Sequence, residues 1–64
     1  MVMSANGYPL LKVLICFTNN NTLIFNNVEP ESISEGNGFF FLTSDKSRFT
    51  FGSNNILYIK TENE

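Results

Sequence analysis

The sequence predicts an all-β antiparallel domain, either a small sheet or a five-stranded barrel, and expects it to pair with a second copy. Three observations carry that reading. Short β-branched and aromatic runs alternate with clusters of Asn, Gly and Ser, the usual punctuation of strands and turns. No window sustains apolar residues at i, i+3, i+4 and i+7 over a helical length. Ala5 is the only alanine, so the best helix former is almost missing.

The elements follow in order. Residues 1–9 read as a flexible tail, with Asn6-Gly7 as a turn signal and Pro9 unable to donate to a ladder. The domain itself spans 10–61. Strands are expected at Leu10–Thr18, Thr22–Val28, Ser32–Glu35 continuing into Gly38–Thr43, Ser47–Phe51 and Ile56–Thr61, with a short 3₁₀ turn at Gly52–Asn55. Residues 62–64 read as a frayed polar end. Gly36-Asn37-Gly38 is expected to be a turn, bulge or kink within or beside the third strand. It lacks the third glycine, the Lys-Ser/Thr pair and the helix that a phosphate loop needs.

Register divides the side chains between two faces. Asn19-Asn20-Asn21 suits a three-residue hairpin loop, because Asn tolerates the left-handed conformation. That loop would pair Thr18 with Thr22, Phe17 with Leu23 and Ile15 with Phe25. In the hairpin Phe39–Phe51, an even loop, either two residues (Asp45-Lys46) or four (Ser44–Ser47), pairs Thr43 with Arg48, Leu42 with Phe49 and Phe40 with Phe51. Phe40, Leu42, Phe49 and Phe51 then share one face, and Phe39 and Phe41 lie on the other with Arg48 and Thr50. A three-residue loop at Ser44–Lys46 would reverse this, since a one-residue slip moves every side chain across the sheet.

The first strand does not alternate as a half-buried strand should. Leu11, Val13, Ile15 and Phe17 form one apolar face, yet Leu10, Leu14 and Cys16 make the other apolar too. Ile24 joins that second face across the hairpin. A barrel hides one face only, and monomers rarely expose more than about a few hundred Å² of continuous apolar surface. The set Leu14, Cys16, Ile24, Phe39 and Phe41 is therefore expected to meet a second copy or a protein partner. A strongly coiled barrel with both faces partly in the core is the alternative.

The size of the chain supports the same idea. A single core in 64 residues rarely supplies more than roughly 3–5 kcal/mol of net stability. Cys16 is the only cysteine, so no intrachain disulfide helps. With no histidine and one thiol, a structural zinc or iron site is not expected either.

Catalytic equipment is equally sparse. No histidine serves as a base, and nothing in the sequence activates Cys16, which reads as a buried, inert thiol between Ile15 and Phe17. The chain is read as a non-enzyme without a cofactor. Glu29, Glu31 and Glu35 form an acidic cluster whose spacing does not suit calcium. They read as a charged edge that resists sheet-to-sheet aggregation, or as an acidic contact surface for a basic partner. Net charge is −2, with Lys12, Lys46, Arg48 and Lys60 scattered along the chain. Nucleic acid is thus not an expected partner, because phosphate binding calls for a cationic stripe.

Val13–Phe17 is too short for a membrane span or a signal-peptide core, and the lone thiol suits the cytoplasm. The Asn20-Asn21-Thr22 sequon then reads as a turn. Asparagine recurs at positions 6, 19, 20, 21, 26, 27, 37, 54, 55 and 63, and with scarce alanine this points to AT-rich coding.

The order of elements resembles Sm-like and SH3-like small barrels, with a long first strand, an Asn-tipped hairpin, a kinked middle strand, a tight hairpin and a short turn into Asn55-Ile56-Leu57-Tyr58-Ile59. That resemblance implies an alternative role in contacting RNA or single-stranded DNA, with Lys46, Arg48, Lys60 and the Phe39-Phe40-Phe41 strand converging. The size, composition and strand pattern also look like the short Asn-rich proteins encoded by phages and prophages of low-GC bacteria. Some of those inhibit host defence without catalysis. This second resemblance implies a homodimeric accessory protein acting on a host protein in the host cytoplasm.

Overall fold

The computed structural model describes residues 7–64. It is all-β: six antiparallel strands form one sheet curled into a half-barrel. The strands are β1 (Leu11–Phe17), β2 (Thr22–Val28), β3 (Ser34–Gly36), β4 (Phe39–Ser44), β5 (Ser47–Gly52) and β6 (Ile56–Asn63). β1 lies between β6 and β2, and β2 joins β4 through the single bridge Val28–Ser44. β4 carries β3 beside the same edge and β5 on the other. The element 1–9, expected as a tail, falls outside the described residues as far as position 6. Pro9 forms an isolated bridge and Leu10 is buried.

The β4–β5 hairpin has the even-loop register. Phe40 pairs with Phe51, Leu42 with Phe49 and Thr43 with Arg48. Its two turn residues, Asp45 and Lys46, have φ of 50° and 67°. Positive φ at both central positions is the mark of a type I′ turn, whose twist matches that of the flanking strands.

The β1–β2 hairpin corrects the expected pairing. Its three-residue loop is Thr18-Asn19-Asn20, one residue earlier than expected, and Phe17 N–H donates to the Asn21 carbonyl at 2.8 Å. Ile15 therefore pairs with Leu23 and Val13 with Phe25, not Phe17 with Leu23 or Ile15 with Phe25. The shift is by two positions, so every side chain keeps its face. Asn20, at φ 69°, takes the left-handed position that ends the loop. A bulge follows in β2, where Asn27 sits at φ 54° and the register shifts between Val13 and Leu11. The extra residue turns Val28 inward, where it is fully buried.

The segment expected as one kinked strand is two. Asn37 (φ 55°) and Gly38 (φ 82°) reverse the chain, so Ser34 pairs with Phe41 and Gly36 with Phe39. Asn-Gly supplies both left-handed residues cheaply. Before it, a 3₁₀ turn at Pro30–Ser32 bends the chain between β2 and β3. Ser32 locks that bend: its hydroxyl donates to the Glu29 carbonyl at 2.6 Å and accepts the Thr43 N–H at 2.8 Å.

The end at 62–64 is not frayed. β6 pairs as far as Asn63 opposite Leu11, and Glu64 N–H donates to the Leu10 carbonyl at 3.3 Å. A Glu64 carboxylate oxygen also accepts the Asn27 N–H at 2.7 Å. The left-handed bulge at Asn27 points that N–H toward the end of β6, a consequence of backbone shape rather than of any apolar pattern.

The core lies in the concavity. Val13, Ile15, Val28 and Leu42 are wholly buried and Phe40 nearly so, with Leu11, Phe17, Phe25, Ile33, Phe51 and Ile56 packed around them. No ladder closes β5 onto β1 and β2. Aromatic rings do so instead: Phe25 meets Phe49 at 4.9 Å and Phe51 at 5.7 Å, and Phe17 meets Phe51 at 5.6 Å between centroids. These tilted contacts fall in the favourable range for aromatic pairs. The 3₁₀ turn Ser53–Asn55 stitches the same end, since Thr18 N–H donates to Asn55 and Ser53 N–H to Gly38.

Candidate contact surface

The convex face follows from the same registers. With Val13, Ile15 and Phe17 facing the core, Leu14 and Cys16 face away from it. Leu14 stands between Ile24 on β2 and Lys60 on β6, and Cys16 between Thr22 and Tyr58. Three of the expected contact residues, Leu14, Cys16 and Ile24, thus come together. Their exposure differs. Ile24 is 54% exposed, Leu14 is half-buried and Cys16 is buried at 8%. Cys16 is a free, buried thiol, so it lies beneath the surface rather than on it.

Phe39 and Phe41 lie elsewhere. They occupy the outward face of β4 with their rings 6.4 Å apart, and Phe39 is half exposed. The bridge Val28–Ser44 places Ile24 before that crossing and Phe41 beyond it, alongside β3. The bend at Pro30–Ser32 separates the two groups, so the five residues form two patches.

The sequence reading omitted Tyr58, a member of the β2–β1–β6 patch, and the exposed Leu57 next to it in β6. Leu57 is 59% exposed and Tyr58 is 53% exposed. Tyr58 shares its face with Lys60 and Glu62, an alternation visible in the sequence once β6 is paired to β1. Leu57 is the extra residue at the bulge where Cys16 pairs with Tyr58 and Phe17 with Ile56, and nothing in the sequence marks that bulge.

The other candidates are sparser. Arg48 lies over the Phe41 ring at 4.8 Å, a cation–π contact. Lys60 is on β6 and Arg48 on β5, the two opposite edges of the sheet. The cations and phenylalanines do not gather on one surface. Glu29 and Glu31 flank or occupy the first 3₁₀ turn, and Glu35 is on β3. Among the described residues no group of three His, Cys, Asp or Glu side chains could hold a metal ion.

A cleft of about 550 Å³ opens between the β1–β2 loop and the end of β5. Phe17 and Phe51 form its apolar side, and Thr18, Asn19, Thr50 and Asn55 its polar side. No acid or base lines it, so it offers hydrogen bonding without proton transfer.

No family model, curated protein or solved structure matches this chain. What the molecule does must be argued from its own surface. Among the described residues no helix is long and apolar enough to cross a membrane.

Proposed function

We propose that the chain is a non-enzymatic protein-binding module, a phage-type accessory protein that associates with itself and inhibits a host protein by contact. One observation carries this reading. The sheet spends its concave face on the core, yet Ile24 and Tyr58 stand exposed beside Leu14 on its convex side. Apolar residues grouped in this way on a small domain mark an interaction site. The Asn-rich, Ala-poor composition supports the phage setting. Light scattering tests self-association: a mass twice 7.2 kDa at micromolar concentration is expected. A monomer at every concentration contradicts it.

Lys60 does not join the Phe39–Phe41 strand, so a second reading, a strand that receives single-stranded nucleic acid, rests on the Arg48–Phe41 stack beside exposed Phe39 alone. A labelled poly-pyrimidine would then bind with strong salt dependence. Absence of binding at low salt removes it.

A further inference from the structure

We propose that two copies of the chain pair along β6, antiparallel and centred on Thr61, so that their half-barrels share one continuous sheet. This rests on the self-associating reading above and assigns it an edge, a register and a pair of charges.

The direction of the backbone groups comes first. Glu64 N–H donates to Leu10, and β6 pairs Glu62 with Lys12, Lys60 with Leu14 and Tyr58 with Cys16. In an antiparallel ladder, hydrogen-bonded and non-bonded pairs alternate. Glu62, Lys60 and Tyr58 therefore point their N–H and C=O groups at β1, while Ile59, Thr61 and Asn63 point theirs outward. The other hairpin agrees independently. Phe17 N–H bonds Asn21, which commits the odd residues of β1 to β2 and leaves its even residues for β6. Among the described residues β6 has no second neighbour in the sheet. Within them its outward groups at 59, 61 and 63 form a template for another strand.

Natural edges are guarded by charged side chains, lysine above all, and by proline, bulges, shortness or inward charges. β6 carries Lys60 and Glu62, which guard it unless a partner supplies the opposite charges. β6 spans Ile56–Asn63, is exposed at every position after Ile56, and has no proline; its bulge lies at Leu57, before the regular stretch. Its far end is held by the Glu64 contacts with Leu10 and Asn27, so pairing requires little further ordering.

Register then selects itself. Two copies pair through outward groups only when odd positions meet odd positions, which leaves centres at Ile59, Lys60, Thr61 or Glu62. Centres at Lys60 and Glu62 set like charges face to face. A centre at Ile59 sets Glu62 against Ile56. A centre at Thr61 sets Lys60 of each copy against Glu62 of the other, twice, in non-hydrogen-bonded pairs where side chains are nearest. The convex patches around Tyr58 then continue across the join.

Sedimentation equilibrium of the full chain and five variants tests this. Thr61→Pro removes an outward N–H and leaves the β1 ladder intact, so a folded monomer is expected. Lys60→Glu and Glu62→Lys each create two like-charge pairs and are expected to weaken the dimer about tenfold or more. The double variant Lys60→Glu/Glu62→Lys restores both pairs and is expected to recover it. A dimer unchanged in Thr61→Pro, or a double variant no tighter than the single ones, overturns the proposal. If Thr61→Pro fails to fold, the charge exchange decides alone. A dimer that survives Thr61→Pro but is lost in Ile24→Asp refutes edge pairing and leaves the contact-surface reading standing. A wild-type monomer at all concentrations refutes both.

Discussion

Lys46→Gly should make this protein more stable, which few single substitutions do. Lys46 is exposed at φ 67°, in the second position of the β4–β5 turn. An L-residue in the left-handed region costs about 1–2 kcal/mol, and glycine escapes that cost. Glycine in turn loses about 0.5–1 kcal/mol through the greater freedom of its unfolded chain. The net gain is about 0–1.5 kcal/mol, centred on ~0.75, and at that centre it raises Tm by about 3–6 °C in a domain of this size. Two neighbours serve as internal references. Ser47→Gly, at a strand position paired with Ser44, should destabilise by about 0.5–1 kcal/mol. Asp45→Gly relieves similar strain at φ 50° but loses the Asn27 amide bond to the Asp45 carboxylate, so its gain should be smaller. Urea titration of the three variants gives the comparison directly. If Lys46→Gly destabilises as much as Ser47→Gly, the left-handed two-residue turn at Asp45-Lys46 is wrong.

Leu42 is wholly buried, and Leu42→Ala should cost about 2–5 kcal/mol, comparable with the whole stability of so small a domain. Loss of the cooperative thermal transition is the expected outcome, and a transition within a few degrees of wild type contradicts the core assignment. Ser44, 5% exposed, donates its hydroxyl to the Asn26 carbonyl beside the only bridge between β2 and β4. Ser44→Ala leaves that carbonyl without its partner and should cost about 1–3 kcal/mol in urea, while a change well below this range would mean that water replaces the bond freely.

Where turn chemistry and apolar alternation agreed, the fold was legible. Phe40, Leu42, Phe49 and Phe51 flank Asp45-Lys46 in a pattern that an even loop brings onto one face, and that is the pairing found. The β1–β2 hairpin was half legible. Three consecutive asparagines gave the loop length but not its position, because Thr18 and Asn21 are equally suited to the flank. Gly36-Asn37-Gly38 was legible as a turn, bulge or kink but not as a full hairpin reversal, because β3 is short and carries Ser34, Glu35 and Gly36, with no apolar residue to reveal a separate strand. β6 extends through Thr61, Glu62 and Asn63 because the backbone of β1 is available to pair, which hydropathy does not encode. That Leu14, Cys16 and Ile24 share the face away from the core was legible on β1 and β2 from side-chain alternation and the hairpin. The share of the contact surface on β6 required the β1–β6 register, and its separation from Phe39 and Phe41 required the bend at Pro30–Ser32.

The convex face of β2, β1 and β6 is the central claim, and affinity capture from a bacterial host lysate with wild type and Ile24→Asp tests it most directly. Ile24 is 54% exposed and outside the core cluster, so the variant should fold as wild type does by circular dichroism. The wild type is expected to retain a host protein that folded Ile24→Asp does not. Retention of the same proteins by both, or of none by either, would contradict a function exercised through this face.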